Sequence, residues 1–326
     1  VNPPSAPESL RPLGLGELLD RAVTLCVRQF VPFALIYVAF AIPLGIVKFF
    51  ASRNLTMLIQ AFADQLKAQG AGHAPNPAAY NAAFSQAGDN FGWTAALFAL
   101  TFFVGPLATA ALIAATSATY LGGTTTFAGA YRAGLSRWLP MLGINIFYAV
   151  AGGVLYMIAI VISLVLFFAL GAITLAAHAL GIAISIVVGL AVAIVLIAVA
   201  VVVALALNVS YFACVVEGEN AVVAFASGIG RVFSGVGLKR SLLVGSAYVA
   251  VIVGIWIVSA LGQGVLVGLV RSELAGTIFT TLVAVATAAF LTAFMTIFYY
   301  DLRVREEGLD LQMAASRALA APLEIS

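Results

Sequence analysis

The run "VVGLAVAIVLIAVAVVVALAL", Val187 to Leu207, decides the class of fold. It holds no charged residue and never settles into an alternation of apolar with polar. A strand of a membrane barrel would alternate over about ten residues, so the run is a helix. Its valines are no objection, because a backbone in lipid has no water to bond and must pair within its own segment. The charge-free stretch extends outward from Trp138 to Val216, 79 residues in all. As one straight helix it would be about 120 Å long, roughly four times the thickness of the hydrocarbon layer. It must therefore fold back, and "LGAITLAAHALG", with Gly171, His178 and Gly181, is where the turn is expected.

Three more charge-free runs exceed the roughly 20 residues a spanning helix needs: Phe91 to Tyr131, Ser241 to Val270 and Leu274 to Tyr300. The whole chain of 326 residues is 63% hydrophobic and 9% charged, whereas a water-soluble domain carries about a quarter charged residues. The reading is an all-α, polytopic transmembrane bundle forming a single integral membrane domain, 1–326. It has about six spans: 29–50, 93–120, 139–170, 182–214, 241–269 and 275–300. Residues 1–28 form one terminal segment, 51–92 a helical segment on the opposite side, and 301–326 a tail on the side of the first. The polar start "VNPPSAPESLRPLG" is no signal peptide, and the first span is read as retained.

Eleven Lys and Arg fall in the connections on the side of the termini and four on the other, Lys48, Arg53, Lys67 and Arg271. By the positive-inside rule both termini are expected in the cytoplasm. Tyr299 and Tyr300 are then expected as an aromatic belt, with the charges after them ending the last helix at the headgroups.

A unit recurs ahead of spans 1, 3 and 5. Leu15, Leu18, Leu19, Ala22 and Cys26 share one helical face; so do Phe127, Ala130, Tyr131, Gly134, Leu135 and Trp138, and so do Val222, Phe225, Ala226, Ile229 and Phe233. The fold expected is three hairpins, each preceded by an amphipathic interfacial helix on the cytoplasmic side. The alternative is that these stretches are simply the ends of tilted spans. In the 51–92 segment, Asn54 is expected to cap one helix and Pro77 to start a second. Asp310 is expected to cap a short terminal helix.

No catalytic motif of the HExxH, GxSxG or Walker A kind occurs. His73 and His178 have no metal-binding company, and Cys26 and Cys214 belong to no ligand spacing, so neither metal nor cofactor is expected. A net charge of +2 without a basic run argues against nucleic acid. No ionisable residue sits near a span centre, which disfavours ion-coupled transport through a buried carboxylate. Asn145, Ser185, Asn208, Ser259 and similar groups are expected to bond across helices, and Gly181, Ser185, Gly189 and Ala193 to allow close helix contact, within one chain or between two.

Three stretches together, "LGELLDRAVTLCVRQFVPF", "YFACVVEGENAVVAFASGIGRVFSG" and "YYDLRVREEGLDL", resemble the membrane domain attached to some bacterial glycerophosphoryl diester phosphodiesterases and also found alone. In two-part members a TIM barrel carries the hydrolysis. The 26 residues from Asp301 to Ser326 cannot hold a barrel of roughly 250 residues, so the resemblance implies a scaffold in a bacterial cytoplasmic membrane and no phosphodiesterase activity.

The candidate site residues are therefore contacts. Arg21, Arg28, Arg132, Arg137, Arg231, Arg303 and Arg305 would meet lipid headgroups or join a collar, and Glu17, Asp20, Glu217 and Asp301 are the collar's candidate acids. The function expected is a non-enzymatic scaffold or accessory subunit that binds membrane lipid, a membrane-protein partner or a second copy. The alternative is a transporter or flippase of a lipid or other hydrophobic solute.

Overall fold

The computed structural model describes residues 11–70, 85, 91–309 and 311–312. Among the described residues the regular structure is entirely helical. A short helix α1 (Leu15–Arg28) leads into α2 (Phe30–Gly70). Next come α3 (Phe91–Tyr120), interrupted by a π-turn at Leu100–Val104, and α4 (Phe127–Phe212), which passes into a second π-turn at Ala213–Glu217. A second short helix α5 (Ala221–Phe233) precedes α6 (Gly235–Val270) and α7 (Glu273–Glu307). Among the described residues six stretches are long and apolar enough to cross a membrane: Phe30–Ser52, Phe91–Tyr120, Phe127–Gly171, Leu180–Glu217, Gly237–Val270 and Glu273–Glu307. The chain is a multi-pass membrane protein of helical-bundle type.

Helix α4 carries two of these spans and reverses on itself. Tyr148 Oη lies 3.2 Å from Ser210 Oγ, and Ser185 Oγ donates to Leu170 O at 3.4 Å. In a straight helix those pairs would stand about 90 Å and about 20 Å apart. Both pairs are symmetric about the stretch where the sequence places the turn, so the fold-back is at the expected position.

Side-chain caps mark the corners. Thr126 accepts from Gly129 N, Asn220 from Val223 N, Ser234 from Gly237 N and Ser272 from Ala275 N, each satisfying one of the free N–H groups of a first turn. Gly308 ends α7 at φ +62°, a left-handed stop that suits glycine.

The buried core gathers at the end of the bundle that holds α1, α5 and the close of α7. Leu18, Phe212, Phe294, Phe298 and Tyr299 are almost wholly enclosed there. At that end α1 packs on α7, and α5 packs on α4.

Several expectations need correction. The last helix does not stop at Tyr300 but runs on to Glu307, and Tyr299 and Tyr300 are buried in protein rather than forming a belt. The stretch before span 3 is no separate helix, since α4 is continuous from Phe127. Helix α2 likewise runs past Asn54 to Gly70 with no new start. The helices expected from Pro77 and Asp310 lie outside the described residues, apart from Ser85 and from Leu311 and Gln312, which are helical.

Helix α1 buries Leu18, Ala22 and Cys26 of the face its apolar pattern suggests, whereas α5 turns a different line of residues inward. In α5 the buried residues are Ala224, Gly228 and Val232, while Val222 and Phe233 are exposed. A Cβ on Gly228 would run into Ser210 Oγ and stand 2.8 Å from Ala206 O. Gly134, at the start of α4, crosses α3 as closely, its absent Cβ falling 2.9 Å from Ala111 N. Small residues let these backbones approach, so the elements pack on protein first.

Candidate functional site

Asp301 is the most deeply buried charge among the described residues, its carboxylate fully enclosed. Arg240 Nε on α6 donates to its Oδ2 at 2.9 Å, and Arg305, one turn further along α7, donates to the same oxygen at 3.0 Å. Leu13 N, from the segment ahead of α1, donates to Oδ1 at 2.8 Å. The same two arginines return to that segment, donating to Leu13 O at 2.9 Å and 2.8 Å. Three parts of the chain that are far apart in sequence are thus tied at one carboxylate.

A second knot surrounds Glu217. The π-turn at Ala213–Glu217 carries the chain out of α4, and Gly218 then turns it at φ +78°. Arg231 on α5 grips Glu217 with two parallel bonds of 2.7 Å and 2.9 Å and reaches Glu307 at 2.7 Å. Arg303 donates to Glu307 at 2.8 Å and lies 3.6 Å from Glu217. Tyr299 donates its hydroxyl to Glu217, and its ring lies under both guanidinium groups, 5.6 Å from that of Arg231 and 6.0 Å from that of Arg303. Two arginines against two glutamates make the cluster neutral, which lowers the cost of holding it away from water. Burial works against the Arg231 charge, but the carboxylates of Glu217 and Glu307 outweigh it and hold the guanidinium above its ordinary value.

Smaller links close the ring. Arg137 donates to Gly218 O at 2.6 Å, and Ser227 donates to Glu219 at 2.9 Å. Ser234, at the corner of α5 and α6, bonds Glu306.

Of the candidate cations, Arg137, Arg231, Arg303 and Arg305 therefore face protein groups, while Arg28 and Arg132 are exposed. Arg21 donates to Glu17 at 3.0 Å, and Arg11 does so at 2.5 Å. Of the candidate acids, Glu217 and Asp301 sit at the centres of the two knots. Glu17 pairs within its own neighbourhood, and Asp20 is exposed on α1. Arg240 belongs to the first knot but is absent from the sequence-based candidates. Arg240 opens a long apolar run, and a cation at such a border reads as an ordinary headgroup contact. Burial pushes the Cys26 thiol up, which makes it less reactive.

Inside the apolar part lies a cleft of about 480 Å³ between α2, α3 and α4. Its walls include Tyr37, Phe98, Phe102, Asn145, Tyr148 and Tyr211, and no charged side chain lines it. Tyr148 is satisfied by Ser210, whereas the hydroxyls of Tyr37 and Tyr211 have no hydrogen-bond partner among the described residues. The π-turn of α3 forms one wall. It leaves main-chain carbonyls open to side chains, so that Trp138 donates to Phe103 O at 2.6 Å and Asn145 to Phe102 O at 3.4 Å. Asn145 does bond across helices as expected, but Asn208 and Ser259 bond back to carbonyls four residues earlier in their own helices. The tyrosines escaped the sequence reading because they were counted as apolar. A phenol inside a charge-free span is the signal that was there, since its hydroxyl needs a partner.

A second cleft, of about 460 Å³, lies between α2 and α7 and is lined by Ile42, Phe49, Ile278 and Leu282 among others. Its threonines are satisfied within α7, Thr281 donating to Thr277 O at 2.8 Å and Thr277 to Glu273 O at 3.0 Å. Among the described residues no group of three or more His, Cys, Asp or Glu is placed to hold a metal ion. Compared with known family models, curated proteins and solved structures, the chain matches none.

Proposed function

We propose that this protein is a non-enzymatic membrane scaffold or accessory subunit that holds lipid within its bundle and presents the bundle to a membrane partner. The observation that carries the reading is the pairing of a locked end with an open interior. Ion pairs fix α5 and α6 to α7, hydrogen bonds tie the segment ahead of α1 to the same end, and clefts without charge open between the spans. Such a body suits holding apolar ligands in place better than acid–base chemistry, which needs titratable groups beside the substrate. In this reading the locked end faces the cytoplasm across a bacterial inner membrane, with its arginines inside. The resemblance of "YYDLRVREEGLDL" to the membrane domain of bacterial glycerophosphoryl diester phosphodiesterases is part of the same proposal.

Extraction into native-lipid nanodiscs followed by mass spectrometry tests it. Co-purifying lipid and a reproducible membrane-protein partner are expected; a lone, lipid-free monomer would sink the reading. A second reading, movement of a lipid or hydrophobic solute across the membrane, is favoured by the cleft at α2, α3 and α4, because its walls come from two different hairpins. Accelerated lipid exchange between leaflets of reconstituted vesicles would put this reading first.

A further inference from the structure

The chemistry of the cleft between α2, α3 and α4 goes further than lipid binding in general. We infer that it is a site for one uncharged lipid whose headgroup bears carbonyl acceptors and a hydroxyl, of the diacylglycerol type. The inference rests on the lipid-holding half of the proposed function and is independent of any partner.

Size comes first. About 480 Å³ lies within the usual range for a small-molecule pocket, so it holds a headgroup and the upper part of its chains, the rest trailing into the bilayer. Charge decides the class. A phosphate or ammonium head entering this cleft would lose water and find no counter-charge on its walls. An uncharged head loses far less.

The polar groups then select the head. Tyr37 and Tyr211 each hold a phenol with no hydrogen-bond partner among the described residues, two donors that match two ester carbonyls. Asn145 uses its amide N–H on Phe102 O, which leaves its carbonyl oxygen to accept from a free hydroxyl. Phe98 and Phe102 supply apolar wall for the chains. The π-turn that shapes this wall is a second, independent mark, because such turns inside helices occur frequently at functional sites. The cleft between α2 and α7 serves as the internal control: similar in volume, apolar, with its threonines already bonded.

The full chain is placed in nanodiscs holding a trace of diacylglycerol with a diazirine on its acyl chain, or of phosphatidylglycerol with the same labelled chain. After irradiation the labelled peptides are mapped. The diacylglycerol probe is expected to mark the segments around Phe98–Phe102 and Asn145–Tyr148, well above the phosphatidylglycerol probe. Tyr37→Phe and Tyr211→Phe should each lower that labelling roughly fivefold, the effect of one lost hydrogen bond, while melting in detergent stays as in the parent. Equal labelling by both probes, or labelling indifferent to both substitutions, overturns the inference. Labelling confined to the α2–α7 cleft also overturns it but leaves the lipid-holding function standing. No labelling by either probe overturns both.

Discussion

The collar and the far half of the α4 hairpin are held in opposite ways. At the collar, charged groups from four helices and the segment ahead of α1 interlock, and Asp301 is 2% exposed. Along the hairpin, Tyr156, Phe168, Val187 and Leu190 stand outward, with Leu190 61% exposed. The collar takes its order from contacts inside the protein. The hairpin takes its order from the helix's own backbone bonds and from the solvent around it, which for these side chains is lipid. In a chain with so few charges, placing them in buried pairs at one end defines how the helices meet there. The remainder is left to a solvent that does not discriminate among apolar side chains. Substitutions should therefore have effects that fall steeply from one end of the molecule to the other.

The largest effect is expected at Asp301. Replacing it by alanine leaves Arg240 and Arg305 facing each other across the main chain of Leu13 with nothing between them. Removing one partner from a buried pair costs about 3–5 kcal/mol, because the other charge stays buried and unpaired. Thermal unfolding in detergent should show a large fall in midpoint. Limited proteolysis should show the segment ahead of α1 released, since Leu13 loses the acceptor for its N–H. A midpoint within a degree or two of the parent would mean that the collar is solvated and that the two regions do not differ as described.

An intermediate effect is expected at Gly228, where α5 crosses α4. A leucine there meets main chain, Ala206 O and Ser210 N, so neither neighbour can swing aside. Overpacking of this kind costs about 1–3 kcal/mol. It should also weaken the Arg231 pairing with Glu217, because the arginine lies one turn further along the same helix. A double substitution separates the two contributions: combined with Glu217→Gln, Gly228→Leu should destabilise by less than the sum of the single changes. Strict additivity would show that the crossing and the ion pair are independent.

How far these features could be read in advance follows from what each depends on. The six spans depend on local composition, and apolar runs between charged borders placed all six, the reversal in α4 included, although the helix of the third begins earlier, at Phe127, and that of the sixth runs on to Glu307. That reversal was forced by length alone. Periodicity gave the buried face of α1, with Leu18, Ala22 and Cys26, but the face of α5 depends on what lies against it. Hydrophobicity favoured Val222 and Phe233, whereas the crossing with α4 selects small residues and buries Ala224 and Gly228. The collar depends on pairings across long sequence separations, such as Leu13 with Asp301 and Glu217 with Arg231. Its acids were legible as candidates because charge is rare in this chain, but their partners were not. Asp20 and Glu17 looked as suitable as Glu217, and only the packing of α5 on α4 distinguishes them. The cleft was legible at Asn145 and was missed at Tyr37 and Tyr211, where a hydroxyl is hidden in an apolar letter.

The smallest effect is expected at Leu190, near the middle of the second arm of α4. Alanine there removes apolar surface that the folded protein does not cover, so the transfer from water that stabilises a core leucine has no counterpart. Helix propensity changes little, since alanine and leucine are both strong formers. The expected shift is about 0.5 kcal/mol or less, to be read in the same detergent melt as Asp301→Ala. A larger loss would show that this face of the hairpin is covered in the assembled protein, by a second copy or by a partner. Repeating the melt over a tenfold range of protein concentration separates the two: a midpoint that rises with concentration indicates self-association, and a constant one, with the loss seen only in native membranes, indicates a partner. The contrast between the ends would then describe the lone chain, with the hairpin ordered by the second molecule much as the collar is ordered by its ion pairs.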